Sequence, residues 1–186
     1  METQAAKDPS PIEFPEGSVV IYALHGKCKI TQIETRSVGG RTLRFYKLEV
    51  LKSPLSRTNR SDPSIWVPIS SARDLGMRSA MDATQAEEAM KILLTRESYF
   101  NLDEPWHVVH SQLEAAIRTE GPLGLAKVYS YMHVIKRKWA TPPKDITKFY
   151  DLVHKLLFKE LSEVLGEAPR ILEDKVSKGL RNKGHH

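Results

Sequence analysis

Cysteine is nearly absent. The one thiol, Cys28, cannot close an internal disulfide and cannot make a cysteine-based zinc site, which points to a reducing cytoplasm. No stretch approaches the roughly 18 consecutive apolar residues of a membrane-spanning helix, so no membrane association is expected. The opening METQAAKDPSPIEF has no basic start leading into an apolar run, and no secretory signal is expected there. A phosphate-binding loop is also missing: GPLG (residues 121–124) lacks the lysine such a cradle needs. No nucleophile motif organises the serines, histidines and acids. A non-enzymatic protein without cofactor, metal or small-molecule substrate is therefore expected.

What remains is an ordinary globular composition, 186 residues with 40% hydrophobic side chains and a formal net charge of +5. The basic balance favours partners with negative surface, nucleic acid or an acidic protein. The hydrophobic period changes near residue 80. Upstream, SVVIYAL (18–24), KCKITQIETRSV and RTLRFYKLEV read as strands, the last two joined by Gly39-Gly40, a pair suited to a tight hairpin. SIWVPI (64–69) is a further short strand in which Pro68 marks an edge or a strand end. The polar KSPLSRTNRSDPS before it reads as an exposed loop.

Downstream the period is helical. TQAE (84–87) has capping-box spacing between Thr84 and Glu87, ahead of Ala86, Met90, Leu93 and Leu94. A second helix should start at Asp103 or Glu104, with Pro105 in its first turn, and end near Arg118, before TEGP. A third carries Leu125, Val128, Tyr129, Met132 and Ile135. A fourth carries the most regular stripe, from Ile146 through Phe149, Val153, Leu157 and Leu161 to Leu165. A short fifth follows Pro169. The fold class expected is α+β: a small β-barrel or strongly bent sheet, then an all-helical domain. The expected divisions are a disordered tail at 1–13, the β-module at 14–80, the helical domain at 81–178 and a flexible tail at 179–186.

Each candidate site residue has a plain structural alternative. Trp106 shares the inward stripe of Val109, Leu113, Ala116 and Ile117; it is either core or, at the helix start, a ring left partly open for a DNA base step. His107 and His110 are three apart, half of a metal site or simply polar surface. Lys136, Arg137 and Lys138 end the third helix, either complementing its dipole or contacting phosphate. Arg36 should pair across from Leu43 and share a face with Glu34, as a surface residue or a contact.

These pieces together resemble the CarD/CdnL family of bacterial RNA polymerase-binding transcription regulators. The N-terminal module is also similar to the polymerase-interaction domain of transcription-repair coupling factor. The anchors are FPEGSVVIYALHGKCKITQIETRSVGGRTLRFYKLEV, WVPISSARDLGMR, the PW pair and GPLGLAKVYSYMHVI, over residues 14 to 166. The resemblance implies a Tudor-like barrel that binds the polymerase β subunit. It also implies a helical domain at the upstream edge of the melted promoter, where a tryptophan wedges into the distorted minor groove. That tryptophan aligns with Trp106 and the polymerase-contacting arginine with Arg36. Trp66 stands at another common polymerase contact, where it is either an aromatic interface residue or barrel core. HVVHS departs from the family's run of basic residues after the tryptophan. His107, His110, Lys136, Arg137 and Lys138 are then the candidates for phosphate. A protein–protein adaptor that binds polymerase and ignores DNA is the alternative.

Overall fold

The computed structural model describes residues 10–51, 63–95 and 97–182. Most of the expected N-terminal tail, most of the expected loop before SIWVPI, and residues 183–186 lie outside the described residues. The chain is α+β and divides into two compact units between Ser79 and Ala80.

The first unit is one antiparallel sheet of β1 (Val19–Tyr22), β2 (Gly26–Val38), β3 (Arg41–Val50), β4 (Ile65–Pro68) and β5 (Met77–Arg78), in the order β4-β3-β2-β1-β5. Gly39 and Gly40 take φ of 58° and 76°. Both angles are positive, as the two central residues of a type I′ hairpin require, and they place Val38 opposite Arg41. A register shift between Ile30 and Gln32 bends the long hairpin in the manner of a β-bulge. Val20, Cys28, Ile30, Tyr46, Leu48, Val67 and Met77 fill one face, each aliphatic side chain contributing about 1.5–3 kcal/mol by leaving water. The Tyr46 hydroxyl accepts the backbone N–H groups of Glu13 and Phe14 at 3.2 and 3.3 Å, fixing the incoming segment. A closed barrel does not form: among the described residues β4 and β5 are the edges and do not pair. β4 ends at Pro68, which cannot donate to a ladder, as an edge strand tolerates.

The second unit contains α1 (Ala83–Leu94), α2 (Trp106–Lys138), α3 (Lys144–Leu165) and α4 (Pro169–Asn182). The capping box at α1 is not the expected pair. Asp82 accepts the Gln85 N–H at 2.8 Å, and the Asp82 N–H donates to the Gln85 side chain at 3.1 Å. Two overlapping i, i+3 patterns, D-x-x-Q and T-x-x-E, compete here, and the helix begins at the earlier one. Nor does α2 start at Asp103 or Glu104: Pro105 is its N-cap and Trp106 its first residue.

A straight helix of 33 residues would be about 50 Å long, yet Trp106 and Lys138 line the same cavity. The helix is in fact a hairpin of two arms, 106–120 and 122–138. They meet at Gly121, whose φ of 57° and ψ of −124° are not helical. Pro122 then opens the second arm, where its missing N–H costs nothing. Gly124 lets the arms touch: a Cβ there would lie 2.7 Å from the Ala116 carbonyl carbon and nearer still to its oxygen. Val109, Leu113, Ala116 and Ile117 of the first arm are buried, as are Leu125, Val128, Met132 and Ile135 of the second. So are Ile146, Phe149, Val153, Leu157 and Leu161 of α3. Glu160 is buried too and accepts the Met81 N–H at 2.7 Å. α4 runs to Asn182, into the stretch expected to be tail.

Candidate functional site

In the β unit, strand alternation sorts side chains by face. Tyr46, Leu48 and Val67 point to the core, which sends Leu43, Phe45, Lys47 and Trp66 to the other side with Glu34 and Arg36. Trp66 is therefore not core. It lies half-buried on the outer face, opposite Lys47. The Arg36 guanidinium stacks 3.6 Å from the Trp66 ring centre while its Nε donates to Glu34 Oε1 at 3.0 Å. Lys47 Nζ is 5.4 Å from the same ring. Arg36 lies opposite Leu43, as the two-residue turn requires. A flat guanidinium held at one edge by a carboxylate and below by an indole loses little freedom on meeting a partner. The face combines half-exposed apolar area with oriented charge, the composition of a protein-docking surface.

In the helical unit, Trp106 is half-buried. Its ring meets His110 edge-on at 5.0 Å and Phe149 at 5.8 Å. His110 in turn packs on Phe149 at 4.7 Å, with Nδ1 at 3.9 Å from Glu114. His110 thus supports the indole rather than reaching outward, whereas His107 is exposed. No group of three His, Cys, Asp or Glu among the described residues is placed to hold a metal ion.

Lys136, Arg137 and Lys138 do not make one patch, because successive helical residues point about 100° apart. Lys136 lies over the Tyr150 ring at 4.1 Å and 3.9 Å from Asp151. Arg137 lines a cavity of about 700 Å³ with Tyr129, Ser130, His133, Leu93 and Val176. His133 is held below the usual histidine range by burial, then by the charges of Arg137 and Lys136. Lys138 donates to the Leu102 carbonyl at 3.3 Å, sits 3.9 Å from Asp103, and lines a second cavity of about 400 Å³.

That second cavity brings Trp106 together with a residue the sequence pattern had not singled out. Trp139 follows the basic triplet, is 51% exposed and lines the cavity with Tyr131, Ile135, Lys138 and Glu104. Its backbone is extended, φ −112° and ψ 131°, which ends α2. The Tyr131 phenol is pushed up by burial and by the charge of Glu104. Glu104 accepts the Gln112 side-chain amide at 2.8 Å. The available signal was the interleaving of bases with an aromatic in KRKW. Among the described residues no helix is long and apolar enough to cross a membrane.

No protein-family model matches the chain, and a search of curated proteins finds no significant match.

Proposed function

We propose that this chain is a CarD/CdnL-like transcription regulator, non-enzymatic and cytoplasmic, associated with the nucleoid through RNA polymerase. Its first unit, Tudor-like in character though open as a sheet, docks on the polymerase β subunit. Arg36 and Trp66 supply the oriented contact, and the outer edge of β4, unpaired among the described residues, offers strand pairing. The helical unit is thereby delivered to promoter DNA at high effective concentration, so weak DNA affinity suffices. Trp106 then rests against separated bases at the upstream edge of the bubble and stabilises the open state over the closed one. The observation that carries this reading is the half-covered Trp106 ring at the mouth of an open cavity.

A specific observation favours a second reading, that of a polymerase-bound adaptor whose helical unit ignores DNA. The basic residues are dispersed, Lys138 is engaged by Leu102 and Asp103, and His110 packs on Phe149. Two variants separate the readings. Arg36→Glu abolishes binding to polymerase. Trp106→Ala leaves that binding intact but removes protection of open complexes. An adaptor requires Trp106→Ala to protect as well as the parent.

A further inference from the structure

We propose that the cavity between Trp106 and Trp139 holds one unstacked nucleobase, and that it selects bases carrying an exocyclic amino group. This deepens the promoter-DNA reading above and rests on it. Trp106 begins the first arm of the α2 hairpin and Trp139 follows the end of the second, so the fold-back at Gly121 brings two indoles to one opening. The opening, about 400 Å³, lies within the range of small-ligand sites, about 300–1,000 Å³. Aromatic faces of this kind accept any base by stacking, so the indoles supply grip without selection.

Selection comes from Glu104. A carboxylate only accepts hydrogen bonds. It therefore suits the exocyclic amino groups of cytosine, adenine and guanine, whereas thymine lacks one and offers a single ring N–H flanked by two carbonyls that a carboxylate repels. Gln112 Nε2 bonds Glu104 Oε2 at 2.8 Å, which holds the group in place and leaves lone pairs for a second donor. Lys138, at the rim and partly exposed, donates to the Leu102 carbonyl and keeps further ammonium N–H groups for the phosphate beside the captured base. The dispersal of the basic triplet, a weakness for duplex binding, matters little for a site that grips one base and one phosphate.

The test uses the full chain carrying Trp66→Phe, so that the remaining indole emission comes from Trp106 and Trp139. It is titrated with short single strands of cytosine, adenine or thymine and with an abasic strand of equal length. Cytosine and adenine strands quench the emission and bind roughly tenfold more tightly than thymine or abasic strands. Trp139→Ala weakens binding roughly tenfold, Trp139→Phe retains most of it, and Glu104→Gln erases the base preference while stacking persists. Equal binding of all four strands overturns the proposal, as does quenching that is indifferent to Trp139→Ala. Saturation of the cavity by an arginine-rich peptide, with no response to any strand, overturns it in favour of a protein partner. Open-complex lifetimes separate this inference from the reading beneath it. If Trp106→Ala shortens them while Trp139→Ala and Glu104→Gln do not, base capture fails and the regulator stands. If the parent chain leaves lifetimes unchanged, the regulator reading itself fails.

Discussion

Replacing Gly124 with alanine tests the hairpin on which the tryptophan cavity depends. The added methyl would sit 2.7 Å from the Ala116 carbonyl carbon and closer to its oxygen, whereas carbon atoms in good contact are about 3.5–4.0 Å apart. The neighbour is backbone, so a side-chain rotation cannot make room and the arms must part by about 1 Å. Overpacking of this kind costs about 1–3 kcal/mol. A clash this close with backbone lies toward the upper end, about 2–3 kcal/mol, and alanine's better helix propensity returns at most about 1 kcal/mol, which leaves a net loss of about 1–2 kcal/mol. For a unit of roughly 100 residues, each kcal/mol lowers Tm by about 4–8 °C. Thermal unfolding of the full chain, followed by helical circular dichroism, should show a drop of about 5–15 °C. Because Trp106 begins one arm and Trp139 follows the end of the other, their emission should shift as well. An unchanged or raised Tm would refute the close approach of the arms and the shared cavity with it.

Cys28 is fully buried, and burial pushes its thiol up to about 11; a thiol reagent should leave the native chain unlabelled and label it completely in denaturant. His133 carries a depressed pKa, so the unfolded chain takes up its proton first as pH falls. Stability should therefore be lost as pH drops below the unfolded value of about 6.5, and His133→Gln should flatten that loss in urea midpoints measured on either side of it. Trp66→Ala should cost at most about 1 kcal/mol of stability, since the Arg36 stack is half-exposed. It should nonetheless weaken polymerase binding, measured by titration, about tenfold or more.

Much of the architecture was legible because local signals agreed with one another. Gly39-Gly40 sat between alternating strands, TEGP interrupted a helical stripe, and the apolar positions of α3 recurred without a break. The same periodicity misled where two patterns overlapped. The α1 cap went to Asp82 and Gln85 because the helix starts at the first competent residue, not at the better-known Thr/Glu pair. Barrel closure was not legible, since a strand sequence specifies its faces and not whether the last strand returns to the first. For Trp66, apolar neighbours on both sides hid which face was inward; only its pairing with Lys47 decided that. Trp139 lay beyond the last periodic residue, where a helical stripe carries no information. Its meeting with Trp106 depends on the reversal at Gly121, a long-range consequence of one backbone angle. The splaying of Lys136, Arg137 and Lys138, by contrast, follows from helical geometry alone.

The most direct measurement is the lifetime of competitor-challenged promoter complexes formed by bacterial RNA polymerase with and without this chain bound. A preference for the open state of about 1.4 kcal/mol lengthens that lifetime about tenfold. The account predicts a lengthening of several-fold that Trp106→Ala removes while the protein stays on the enzyme. Saturated polymerase whose complexes decay at the unaided rate would contradict it.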